Sequence, residues 1–93
     1  MQNLQVGQLV RSSQGRDAGR FYVVVDKIGS DEVTVSDGCK RPLSKLKKKN
    51  LKHLQKYNKF VSQELTRKLY HKKASDRELR AELEKFTQTE NLG

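Results

Sequence analysis

Apolar residues alternate with polar ones through the first half of the chain and recur every three or four positions in the second. Leu4, Val6 and Val10 fall on one parity with Leu9 on the other, so the opening residues read as a strand reaching about Ser12. FYVVVDKI, residues 21–28, is dense in β-branched and aromatic side chains and too short for a typical helix. It predicts a central strand partly buried on both faces, with Phe21 and Tyr22 pointing opposite ways. Glu32-Val33-Thr34-Val35-Ser36 alternates as a strand with one solvated face does, after the hairpin-type connection Gly29-Ser30-Asp31. Asp37-Gly38 is a second hairpin signal, because both central residues of a type I′ turn need positive φ. A fourth strand is expected from Cys39 to about Leu43, with Pro42 at an edge or bulge. Residues 46–57, with Leu51 and Leu54 for burial, are expected to close the sheet as a fifth. Five short antiparallel strands bury their apolar faces by curling into a small barrel, which also removes exposed edges.

The period then changes. Val61, Leu65 and Leu69 stand four apart behind Ser62 and Glu64, an N-cap and an acid in the first turn, and predict a helix over about 62–72. Ser75-Asp76-Arg77-Glu78 is a capping box opening a second helix, 76–87, whose face carries Leu79, Leu83 and Phe86. Lys72-Lys73-Ala74 is the break between the two, and TQTENLG is a flexible polar tail. Each stripe is narrow, so the pair is expected to pack on itself or on the barrel as a hairpin. The domain organisation that follows is a barrel over 1–57 and a helical extension over 58–93.

Composition narrows the functional classes. Hydrophobic residues make up 33% of the 93 positions, and a chain this short buries only about 60–65% of its unfolded surface, so a large enclosed active site is not expected. No stretch reaches the roughly eighteen apolar residues of a membrane span, and MQNLQVGQLV has no basic segment leading into an apolar one. A soluble, cytoplasmic protein without a membrane partner is expected. The single cysteine, Cys39, fits a reducing compartment and is expected to be a small buried apolar residue. No local motif sets His53 or His71 beside it. No nucleophile with its base, no metal-ligand spacing and no phosphate-loop motif appears, so neither catalysis nor a metal or cofactor is expected.

Charge adds most. Residues 1–40 balance five basic against five acidic side chains, residues 41–73 hold twelve basic against Glu64 alone, and residues 74–93 hold three against five. The chain's net +9 therefore comes from one central block that carries +11, the footprint of a polyanionic partner, most often nucleic acid. A Lys run is a solvated face in many proteins, but eleven net charges in 33 residues favour a polyanion surface.

SSQGRDAGRF, residues 12–21, joins the first strand to the second with two glycines in one tight connection, which implies positive φ or very close backbone approach at Gly15 and Gly19. VGQLVRSSQGRDAGRFYVVVDKI, residues 6–28, resembles a KOW motif, the glycine-centred hairpin of ribosomal and transcription proteins. The run on through VTVSDGCKRPLSKLKKKNLKHL, residues 33–54, resembles the KOW barrel of the ribosomal protein family called L fourteen-e and the short bacterial RNA-binding proteins related to it. The resemblance covers about 50 of the 93 residues and ends near Tyr57, past which the helical segment does not map onto the ribosomal protein's own extension. It implies an SH3-like (KOW) five-stranded antiparallel β-barrel whose first loop and basic surfaces contact ribosomal RNA. By position Gly15 and Gly19 match the family's loop glycines, and Arg16 and Arg20 its basic loop residues.

The residues agree with this chemistry. A rigid turn of small residues lets backbone amides and the side chains of Ser12, Ser13 and Gln14 approach phosphate and 2′-hydroxyl groups, with Arg11, Arg16 and Arg20 making charge-assisted contacts. Arg41, Lys45, Lys47, Lys48, Lys49 and Lys52 add a sequence-independent term, and His53 is a candidate for phosphate or base contact. Phe21, Tyr22 and Phe60 are expected in the core rather than as base platforms, and His71 as a surface helix end. The expected function is non-catalytic binding of ribosomal RNA of the large subunit, on the ribosome or during its assembly or translation, by a chain that is a monomer when free. The alternative is a protein-recognition module for a transcription or translation partner, although the lack of Trp and of any aromatic cluster argues against a methyl-lysine cage.

Overall fold

Two side-chain parities along β2, Phe21–Ile28, organise the molecule. Tyr22, Val23 and Val24 are each no more than 1% exposed, so successive residues are buried on opposite faces of one central strand. The structure, a computed structural model, describes residues 4–90, with side chains through residue 87. It is mainly β, a five-stranded antiparallel sheet followed by two helices. β1 (Gln8–Ser12), β2 and β3 (Glu32–Ser36) are joined with β4 (Lys47–Asn50) and β5 (Leu54–Phe60) in the order β4-β3-β2-β1-β5. One face packs Leu4, Val10, Tyr22, Val24, Val33, Val35 and Leu54 together. The other packs Leu9 and Val23 against α1 (Gln63–Tyr70) and α2 (Asp76–Glu90) through Leu65, Leu69, Leu79 and Leu83.

The first three strands lie where the alternation puts them, but the fourth and fifth do not. No strand forms over residues 39–43. Asp37 Oδ1 accepts the amides of Cys39 and Arg41 at 2.8 and 2.9 Å, and the Ser36 hydroxyl donates to the Arg41 carbonyl at 2.7 Å. These local bonds occupy the backbone groups that a ladder would need. Pro42 then leads into a 3-10 turn at Leu43–Lys45. Cys39 is exposed on this loop rather than buried, because the strand that was to carry it inward is absent. The expected fifth strand, 46–57, is cut in two. Asn50 accepts the Lys52 amide at 2.9 Å and starts a second 3-10 turn, Leu51–His53. The Lys-rich half before the turn pairs with β3, from Val35 opposite Lys47 to Glu32 opposite Asn50. The half after it pairs with β1 and runs past the expected boundary at 57 to Phe60. Phe60 is 42% exposed, not a core residue. No ladder joins β4 to β5 among the described residues, so these two strands are the edges of the sheet.

The helices start as their caps dictate. The Ser62 hydroxyl accepts the Leu65 amide at 3.1 Å, and in the capping box Ser75 accepts from the Glu78 amide at 3.2 Å while Glu78 accepts from the Ser75 amide at 3.0 Å. α1 stops in a Schellman arrangement, with the Lys73 amide donating to the Lys68 carbonyl, the Lys72 amide to Leu69, and Lys72 itself at φ 57°. α2 continues to Glu90, beyond the expected end at 87 and into the segment expected as a flexible tail. Its last residues, 91–93, lie outside those described. Glu82 accepts from the Ser62 amide and hydroxyl, each at 2.7 Å, and Lys68 bonds Glu78, so the helices pack on each other as well as on the sheet. Because Leu79 is fully buried in that shared cluster, Leu79→Ala is expected to cost about 2–5 kcal/mol in denaturant unfolding. A loss below about 1 kcal/mol would mean the helices are only loosely docked.

Candidate nucleic-acid interface

The connection between β1 and β2 is built from two overlapping turns: the Ala18 amide donates to the Gly15 carbonyl at 3.2 Å and the Arg20 amide to the Asp17 carbonyl at 2.9 Å. Gly15 and Gly19 sit at φ 91° and 92°, where a β-branched side chain is strained, so the backbone requirement read from the sequence is real. Gly15→Val is expected to lower stability by more than about 1 kcal/mol, measurable as a shift of the urea midpoint at constant slope. The loop is closed by the Gly19 amide on the Ser12 carbonyl at 2.7 Å and the Ser12 amide on the Arg20 carbonyl at 2.9 Å.

What holds the loop against the sheet is a residue the sequence reading passed over. The Asp17 carboxylate is turned inward, with its side chain 9% exposed. Oδ1 accepts from the Ser12 hydroxyl at 2.8 Å and from Lys49 Nζ at 3.0 Å; Oδ2 accepts from the Tyr22 hydroxyl at 2.8 Å and lies 3.3 Å from Lys47 Nζ. Burial favours the neutral acid, but the hydrogen bonds from Lys49, Tyr22, Ser12 and Lys47 outweigh it and hold the carboxyl well below the ordinary range. Burial, and then the bond to Asp17, pushes the Tyr22 hydroxyl well above its ordinary value. Two ammonium groups and one carboxylate leave the cluster with one net positive charge directly beneath the loop. No local motif could reveal it, because Lys47 and Lys49 return from β4 some thirty positions along the chain.

The candidate residues divide accordingly. Lys49 is 8% exposed and spent on Asp17, with Nζ also donating to the Gln14 carbonyl at 3.3 Å. Lys47 is half-buried on the same carboxylate. Lys48, between them, points to the opposite face and is exposed. Ser13, Gln14 and Arg16 are exposed at the loop tip, whereas Ser12, expected to approach RNA, is buried with its hydroxyl on Asp17 and the Gln14 carbonyl. The Ser13 amide donates to the His53 carbonyl at 2.9 Å, which brings exposed Lys52 and His53 of the second 3-10 turn beside the loop. Arg11 is exposed, with Nε donating to the Gly19 carbonyl at 3.1 Å and the guanidinium 5.1 Å from the Phe21 ring centre. Arg20 lies 3.7 Å from the buried Asp37 carboxylate, at the base of the loop that carries exposed Arg41 and Lys45. No hydrogen bond or ion pair ties the side chains of Arg41, Lys45 or Lys48 to the β1–β2 loop among the described residues.

One further feature belongs to the tip. The amides of Gln14, Gly15, Arg16 and Asp17 donate to no acceptor among the described residues, and the first three belong to exposed residues of the tip. Consecutive free amides at an exposed turn form a concavity suited to an anion. No protein-family model matches the sequence, and no curated protein matches it.

Proposed function

We propose that the chain is a non-catalytic RNA-binding protein that contacts ribosomal RNA of the large subunit, on the ribosome or during its assembly or translation. The observation that carries this reading is the β1–β2 loop tip: free amides at Gln14, Gly15 and Arg16, an exposed guanidinium, and a carboxylate anchor that fixes both in place. A loop already ordered loses little entropy on binding, so its phosphate contacts are not offset by that cost. In this reading Arg16, Ser13 and Gln14 meet phosphate and 2′-hydroxyl groups, Lys52 and His53 extend the contact across the 3-10 turn, and Arg11 and Arg20 use donors left over from their internal bonds. Exposed Arg41, Lys45 and Lys48 strengthen the field around the site, while Lys47 and Lys49 act mainly from within by holding Asp17. The sheet is open, with β4 and β5 at its edges, but the paired glycines at positive φ and the apolar cluster on one face of five antiparallel strands support a KOW-type, SH3-like barrel. A cytoplasmic, ribosome-associated monomer is the state proposed.

If about five phosphates are neutralised, log affinity falls with log salt at a slope of about −3.5 to −4.5. Filter binding of ribosomal RNA across a salt series measures this, and a slope near zero overturns the electrostatic basis of the reading.

A further inference from the structure

On the side of the sheet opposite the cluster of Val10, Tyr22 and Val24, α1 presents a polar stripe. Gln63, Thr66, Arg67 and Tyr70 recur at helical spacing and, with Phe60 and His71, line an open surface depression of about 770 Å³. Two large aromatic rings are exposed here, Tyr70 at 66% and Phe60 at 42%. Tyr70 also borders a neighbouring groove of about 360 Å³ lined by Leu43, Leu46 and Lys72, so its ring stands between two hollows. Among the described residues no carboxylate lines the larger depression. The one acid of the basic block, Glu64, is turned along α1 toward Lys68, 3.9 Å away. The side chains of Arg67 and His71 make no hydrogen bond or ion pair among the described residues.

Single exposed apolar side chains need no explanation. Two aromatic rings sharing one depression with an unpaired guanidinium and an imidazole, on a helix whose C-terminal end continues into Lys72 and Lys73, are a different arrangement. It combines flat surfaces on which unpaired bases stack with a guanidinium and an imidazole N–H that donate to a phosphate backbone. An acidic peptide would satisfy the cations but leave the exposed rings without stacking partners, and a second copy of this basic face would meet like charge. Unpaired nucleotides satisfy both.

We infer that the face of α1 bearing Phe60, Arg67, Tyr70 and His71 is a second RNA contact, which takes a single-stranded segment by stacking its bases on Tyr70 and Phe60. The inference rests on the reading of the chain as an RNA-binding protein and names a substrate class, unpaired RNA, for a surface distinct from the loop. Arg67 and His71 carry the phosphates, and the amides of Gln5 and Gln63 on the rim reach base edges.

The test is binding of an oligouridylate of about ten nucleotides, within the range of single-strand site sizes, and of a duplex of the same length. Tyr70→Ala is expected to weaken the oligouridylate by about five- to a hundredfold while leaving the duplex unchanged, and Tyr70→Phe, which keeps the ring, is expected to bind as the parent does. Arg67→Gln is expected to make the salt slope for the single strand shallower by about 0.7. With Tyr70 largely in solvent, the Ala variant is expected to melt at the parent's temperature. Unchanged oligouridylate binding in both Tyr70→Ala and Arg67→Gln, with the parent still binding, overturns the inference and leaves the loop reading standing. A parent that binds neither RNA at low salt overturns both. A parent that self-associates in sedimentation and a Tyr70→Ala variant that does not, with oligouridylate binding unchanged, overturn the inference in favour of a second copy.

Discussion

Asp17→Ala is expected to lower the unfolding free energy by about 3–5 kcal/mol, the cost of removing one partner from a buried ion pair. The substitution removes little apolar contact. It leaves the Lys49 ammonium, 8% exposed, with only the Gln14 carbonyl at 3.3 Å and the fully buried Tyr22 hydroxyl without its acceptor, while the Ser12 hydroxyl keeps the Gln14 carbonyl at 3.0 Å. In a domain of this size, whose total stability is about 5–14 kcal/mol, that is a large share. A urea titration followed by circular dichroism measures it. A loss below about 1 kcal/mol would show that Lys49 extends its stem and escapes to water. Asp17→Asn keeps the shape but not the charge and is expected to fall between parent and Ala.

The same carboxylate sets an acid limit. Its folded-state pKa is depressed below the value of 3.8 that it has when unfolded. The unfolded chain therefore binds the proton first as pH falls, and stability from this group is complete above about pH 5 and lost progressively below. The parent is expected to lose stability steeply on acidification beneath pH 4, whereas the Asn variant lacks that contribution and declines less. Parallel pH profiles for the two proteins would contradict the assignment.

The second large effect concerns binding. Arg16→Ala combined with Lys52→Ala is expected to weaken ribosomal RNA binding by about a hundredfold, about tenfold for each charge-assisted phosphate contact removed. The salt slope should become shallower by about 1.5. Both side chains are exposed and neither makes a hydrogen bond or ion pair among the described residues, so the fold is expected to be unaffected. Arg20 is the poorer probe, because its guanidinium also meets Asp37. A double variant that binds as tightly as the parent would move the site away from the loop.

Local sequence carries much of this structure, but only where the determinant is itself local. The φ of Gly15 and Gly19, the parity of Phe21 and Tyr22, and the caps at Ser62 and Ser75 are each fixed by neighbours within a few positions, and all are legible. The fourth and fifth strands are not, since a short side-chain bond from Asn50 divides an even-looking basic segment between two opposite edges of the sheet. Cys39 and Phe60 are misplaced for related reasons: one depends on whether the Asp37 turn forms, the other on how far β5 outruns its cover. The largest omission is Asp17. Read along the chain it is one acid among glycines and arginines. Its role exists only after β4 has brought Lys47 and Lys49 across from the far edge of the sheet. A lysine run read as a single surface thus resolves into Lys48 facing solvent and two lysines facing a carboxylate.

The loop's role as an RNA contact is tested most directly by sedimenting the protein with large ribosomal subunits at low and high salt, crosslinking the bound fraction and mapping the attached peptides. Co-sedimentation that weakens with salt, with crosslinks at Ser13, Gln14, Arg16, Lys52 or His53, is the predicted result. Salt-insensitive migration with a protein partner and no crosslinked RNA would contradict it.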